Sequence, residues 1–228
     1  MRIATRMMAS AVLALATVAC TDFREPSDTT AKNLVTRSEE TLQQFKRSDR
    51  FPELSGYIKS ARGVVILPSV TKAGFIGGAE FGNGILLSRR ADGSWSGPAF
   101  YTLGAGSFGL QIGIQNVEMM LILRNDNAVR AVVNNQGKFG VDAGLTVGFL
   151  GGGVEGSTTT NLGADVLAVA LPVIGAFGGV SIEGSALVRR NDLNEGYYGA
   201  GATAPGVLFE NKFNNPAADP LKSALGGS

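Results

Sequence analysis

The chain has 228 residues, with 20 Lys and Arg against 19 Asp and Glu, one cysteine and no histidine. That is one domain's worth of chain, long enough for a real core. The missing histidine removes the commonest general base and metal ligand, and a single cysteine builds neither an internal disulfide nor a zinc cluster, so triad and metal chemistry are excluded.

Residues 1–19 read as a signal peptide. Arg2 and Arg6 supply a positive start, and Met7 to Val18 is an Ala-rich apolar run too short to span a bilayer. The run ends in Thr17-Val18-Ala19-Cys20, which resembles a bacterial lipobox with Thr17 where that motif carries Leu. Cys20 is therefore the expected lipidation site, with ordinary secretion and cleavage nearby as the alternative. Thr21, rather than Asp, after the cysteine resembles outer-membrane sorting. The expected location is the bacterial cell envelope, lipid-anchored and facing the periplasm. Removing residues 1–19 takes away two Arg and no acid, so the balance becomes 18 minus 19, or −1. No global basic field remains to attract nucleic acid, and any electrostatic contact with lipid must be local.

Residues 20–28 form a polar tether, and Asp28-Thr29-Thr30 offers a helix N-cap. Ala31, Leu34, Val35, Ser38, Leu42 and Phe45 come next at helical spacing. Such a stripe suits packing against the rest of the domain, the commoner use, or lying on a membrane interface. Ser48-Asp49-Arg50 breaks the helix, and Pro52 fits the first turn of a shorter one ending near Ser60.

Residues 61–87, ARGVVILPSVTKAGFIGGAEFGNGILL, organise the remainder of the chain. The apolar run Val64 to Leu67 is cut by Pro68, a polar turn over residues 69–72 comes next, and a second apolar segment begins at Phe75. Glycines at 74, 77, 78, 82 and 84 would each cost a helix about 1 kcal/mol, whereas strands accept them at bulges and bends. Asp92-Gly93 marks the next turn, before a strand from Trp95 to Tyr101. Gly104 to Gly109 spells G-x-G-x-x-G, but alternating Leu110 to Gln115 makes it a strand rather than a nucleotide loop. Val117 to Leu123 and Ala128 to Val133 read as strand-turn-strand around Arg124 to Asn127, and residues 139–149 alternate again. Residues 151–161 are a Gly/Thr linker.

Val166 to Gly179 runs fourteen residues without a charge, interrupted by Pro172. Buried core strands are its favoured reading. The alternative is an apolar tip that enters lipid, through Leu171, Val173, Ile174 and Phe177. Residues 211–228, rich in Asn, Pro and Ala, read as an unstructured tail. The fold class is α+β: N-terminal helices preceding a Gly-rich antiparallel β barrel or sandwich, with the domain over 29–210. A membrane-spanning barrel is set aside for want of aromatic girdles.

Four ordered blocks carry a resemblance: the 61–87 stretch, Trp95 to Tyr101, Ser107 to Gly113, and Gly178 to Ser185. Together they resemble the SYLF lipid-binding domain family, which is related to yeast actin-regulating proteins. The resemblance implies a non-catalytic module without cofactor or metal. Its implied partners are anionic phospholipid or phosphoinositide-type headgroups, with the membrane reached also through acylated Cys20 and no nucleic acid. The alternative is a protein-binding or structural envelope scaffold. The cations nearest the organising stretch, Lys59, Arg62 and Lys72, are the candidate headgroup contacts. The acids Glu80, Glu118, Asp142, Asp165 and Glu183 lie in apolar strands, where backbone groups at bulges are their expected partners.

Overall fold

In the first helix, α1 (Ser27–Arg47), Ala31, Leu34, Val35, Ser38, Thr41, Leu42 and Phe45 are buried along one side. The helical spacing of these residues therefore has a packing cause: the stripe lies on the sheet, not on open surface. This is a computed structural model, and it describes residues 25–74, 77–108, 113–134, 145–150, 163–174 and 185–226. The signal-peptide and lipobox expectations fall outside that range. Helix α1 starts at Ser27, one residue before the expected cap, and Asp28 sits in its first turn paired with Lys32 at 3.3 Å. Helix α2 (Leu54–Ser60) comes after a turn containing Pro52.

Among the described residues, seven strands succeed the helices: β1 (Gly63–Gly74), β2 (Gly77–Ser88), β3 (Ala99–Phe108), β4 (Gly113–Leu123), β5 (Val147–Phe149), β6 (Val166–Ile174) and β7 (Ser185–Arg189). They form one sheet in the order β5-β6-β4-β1-β2-β3-β7, antiparallel throughout except for the β5–β6 pair. The sheet curls into an open half-barrel, and the expected α+β class with N-terminal helices holds. Alternation along the strands divides the core. Val64, Ile66, Ile85, Phe100, Met120 and Val169 face α1. Val65, Leu67, Leu86, Tyr101, Met119 and Ala168 face the other way.

The polar turn expected at 69–72 is absent: β1 runs unbroken past it. Instead the register shifts between Ile66 and Thr71 against β2, and between Leu67 and Val70 against β4. A bulge lets Pro68, which has no N–H, sit within a central strand, and it places Val70 on the same face as Leu67. Across from the bulge, a Cβ on Gly84 would lie 2.5 Å from the Ile66 carbonyl oxygen and one on Gly82 2.5 Å from that of Ser69. Only glycine lets β2 close over β1 here.

Three expectations change. Ala128 to Val133 is not a strand but most of helix α3 (Asp126–Asn134), with Ala128, Val129, Val132 and Val133 buried. The Asn125 side chain caps it, accepting from the Ala128 N–H at 2.8 Å. Valine's preference for strands yields there to a cap and a buried helical face. Residues after β7 form α4 (Asn191–Tyr198) and α5 (Ala204–Leu208), so the β-rich region ends earlier than expected. The stretch read as an unstructured tail carries a 3-10 turn (Pro216–Ala218) and helix α6 (Asp219–Ala224), with Leu221 and Leu225 buried. The uncharged Val166 run is one inner strand, β6, nearly solvent-free from Val166 to Val169. Residues 175–184 lie outside the described range.

Candidate functional site

Lys59 is exposed near the end of α2, and Arg62 is half exposed just before β1, 3.8 Å from the Asp126 carboxylate. Lys72 is not with them. It lies ten residues further along β1, about 30 Å away at strand spacing. Its ammonium donates to Glu80 Oε1 at 2.7 Å, and both side chains are 9% exposed. The two residues sit directly opposite each other across β1 and β2. Lys72 is thus committed to an internal ion pair, which the assumed turn had concealed.

The sheet puts other cations beside Arg62. The Arg62 N–H donates to the Leu123 carbonyl and the Arg89 N–H to the Arg62 carbonyl, so Arg89, Arg62 and Arg124 end three neighbouring strands side by side. Arg89 also latches α2: its guanidinium donates to the Ile58, Ala61 and Gly93 carbonyls and stacks 4.3 Å from the Trp95 ring centre. Burial, then the neighbouring Arg62 charge, lowers its pKa from the ordinary value. Arg124 donates to the Ala164 carbonyl at 3.0 Å. Sequence reasoning missed both arginines, although each directly follows the last residue of its strand.

The acids of the apolar strands have varied partners. Glu118 accepts from the Thr41 hydroxyl of α1 at 3.0 Å, and Glu80 from Lys72, so both are held by side chains rather than by backbone at bulges. Asp165 accepts from the Thr146 N–H and hydroxyl and from the Asn125 amide. Burial alone would raise its pKa; those bonds and the Arg124 charge outweigh it and hold the carboxyl below its usual range. Asp142 and Glu183 lie outside the described residues.

Of the apolar candidates, Leu171 is buried at 8% exposure while Val173 is 53% exposed on the same strand. Ile174 ends β6. Phe177 and Cys20 lie outside the described residues.

A groove that the sequence did not reveal runs between the first half of α1 and the sheet. One cavity, of about 450 Å³, is walled by Asn33, Arg37 and Glu40 of α1 and by Ser69, Thr71 and Asn83 around the bulge. A second, of about 530 Å³, continues past Thr102, Gly104, Val188 and Leu193. Glu25, Thr30 and Phe81 belong to both. Phe81 and Val188 are large apolar side chains left 51% and 44% exposed. Between the cavities, Asn83 Oδ1 accepts from the Thr102 hydroxyl at 2.6 Å and from Arg190 at 3.1 Å. Arg190 also donates twice to Asp192, at 2.8 and 2.7 Å, and that hydrogen bonding holds the Asp192 carboxyl below its usual range.

Comparison with known proteins gives this half-barrel a family. The model for the family described as "Ysc84: Las17-binding protein actin regulator" matches residues 104–228, more than half of the chain. The chain belongs to the Ysc84 family. Protein YSC84 of Saccharomyces cerevisiae is 31% identical over 170 residues, covering 74% of this chain and 36% of the relative. The human SH3 domain-containing YSC84-like protein 1 is 37% identical over 170 residues, covering 74% of this chain and 49% of the relative. The chain therefore spans between about a third and half of the length of these curated relatives. The Ysc84 match takes in the second half of β3, then β4, β6, β7 and the C-terminal helices, the parts that carry Gly104, Arg124, Val188 and Arg190.

Proposed function

We propose that this Ysc84-family chain is a non-catalytic lipid-binding domain of a bacterial cell envelope, anchored by a diacylglyceryl thioether on Cys20. On this reading it faces the periplasm from the outer membrane and contacts anionic phospholipid headgroups. The observation that carries the headgroup contact is the cationic end of the sheet: exposed Lys59 and Arg62 stand beside Arg89 and Arg124, against the nearby carboxylates of Asp126 and Asp165. Four cations against two acids leave a local positive excess on a chain whose total charge is near zero. A cation at an anionic surface contributes about 1 kcal/mol, so removing two weakens binding roughly thirtyfold. The two cations already bonded within the fold contribute field rather than new hydrogen bonds.

The test is sedimentation with vesicles containing phosphatidylglycerol, comparing wild type with Lys59→Gln/Arg62→Gln at low and moderate salt. Loss of salt-sensitive binding in the variant supports the reading; unchanged, salt-insensitive binding refutes it and turns attention to Val173 on β6. Intact-mass measurement of membrane-extracted protein checks Cys20, and an unmodified cysteine ends the anchoring claim.

The family description, which names a Las17-binding actin regulator, favours a second reading: a protein-binding scaffold. Saturable capture of a partner protein by a chain that ignores all vesicles would select it.

A further inference from the structure

The groove beside α1 combines two chemistries along one path. At the α1 end, Arg37, Glu40 and Glu25 surround polar Asn33, Ser69 and Thr71. Neither Arg37 nor Glu40 pairs with another described residue. At the other end the path crosses Gly104, directly opposite Phe81 in the β2–β3 register, and reaches Val188. Thr30 Oγ1, in the wall common to both halves, is shielded from water and lacks a hydrogen-bond partner among the described residues.

We propose that this groove binds a single phospholipid-class amphipath with a zwitterionic headgroup. The phosphate meets Arg37, the ammonium lies between Glu25 and Glu40, and the acyl chain runs over Gly104 between Phe81 and Val188. Charge decides the headgroup class. Around the groove stand the carboxylates of Glu25, Glu40 and Asp192 and the guanidiniums of Arg37 and Arg190, an excess of one negative charge, which disfavours an anionic head. An exposed apolar lining with a few convergent polar groups is the ordinary make-up of a small-molecule site. Position agrees as well: Cys20 is five residues before Glu25, so an acylated Cys20 would hold the groove mouth within about 18 Å of the bilayer. The inference rests on the lipid-binding reading for its ligand class, but on a surface separate from Lys59 and Arg62.

Gly104 supplies the test. A Cβ there meets nothing within 4 Å and its backbone is that of an ordinary strand, so Gly104→Leu fills the acyl path without forcing the sheet. Binding of lysophosphatidylethanolamine, below its micelle concentration, is measured by native mass spectrometry and calorimetry, with lysophosphatidylglycerol as the anionic comparison. The expected result is saturable one-to-one binding, weakened roughly tenfold or more by Gly104→Leu and by Arg37→Gln, and weaker for the anionic lipid. Lys59→Gln/Arg62→Gln should bind like wild type, so loss of vesicle sedimentation with retained lysolipid binding separates the two sites. The proposal is overturned if Gly104→Leu and Arg37→Gln both bind like wild type, or if Lys59→Gln/Arg62→Gln, which lacks the cationic end, binds the anionic lipid as tightly as the zwitterionic one. It is equally overturned if light scattering shows that Gly104→Leu dissolves a dimer, which would make a second copy the occupant.

Discussion

Replacing Lys72 by Met removes one half of an internal ion pair and leaves Glu80 facing a low-dielectric environment. The 2.7 Å separation corresponds to an attraction of about 6 kcal/mol at an effective dielectric of 20. Desolvating the two charges, each 9% exposed, costs several kcal/mol per ion, so the intact pair contributes little net stability. Half a pair is different: the uncompensated charge costs about 3–5 kcal/mol. Lys72→Met and Glu80→Leu should each lower the urea midpoint by roughly 2 M at a slope near 2 kcal/mol/M. The double variant should recover to within about 1 kcal/mol of wild type, giving a coupling energy of about 5 kcal/mol or more. Trp95 is the only tryptophan and is buried, so its fluorescence follows unfolding in all four proteins. Vesicle binding per folded molecule should be unchanged. If Lys72→Met is as stable as wild type and instead loses vesicle binding, Lys72 is a surface contact and the buried-pair reasoning is wrong.

The same geometry sets three further outcomes. Arg89→Lys keeps the charge but not the fork that donates to Ile58 and Ala61, so it should cost about 1–2 kcal/mol in denaturant unfolding and redshift Trp95 emission. Asp165 has a folded pKa below its unfolded value, so its contribution is present above about pH 3.8 and disappears as pH falls through the folded pKa. Asp165→Asn should thus be less stable than wild type by about 1 kcal/mol at pH 7, with the gap closing in thermal melts taken in increasingly acid buffer. Gly84→Ala drives a methyl against the Ile66 carbonyl and should destabilise by about 2–4 kcal/mol, whereas Gly104→Ala should be neutral or mildly stabilising; equal melting temperatures for the two would contradict the close approach at the bulge.

Features that depend only on neighbours along the chain are written locally. Helical spacing from Ala31 to Phe45 specified α1 and its buried side, and glycine-punctuated β-branched runs specified the strands from 63 onward. The Asp92-Gly93 turn is there too, with Gly93 at φ +87° and Asp92 accepting from the Ser94 N–H. Ala128 to Val133 is misread as a strand from its valines: burial at 128, 129, 132 and 133 follows the helical period, and the Asn125 side chain caps that helix. Tertiary structure alone decided the rest. The bulge at Pro68 and Ser69 is a property of three paired strands, since only registers against β2 and β4 show that the chain continues instead of turning. That one difference moved Lys72 from a surface loop into contact with Glu80, eight residues away in sequence and directly opposite in space. Arg89, Arg62 and Arg124 became neighbours because antiparallel pairing brings strand ends together, an adjacency that no local pattern encodes. The groove needs α1 laid across strands drawn from residues 63 to 189, and its walls meet only when long-range packing has placed them.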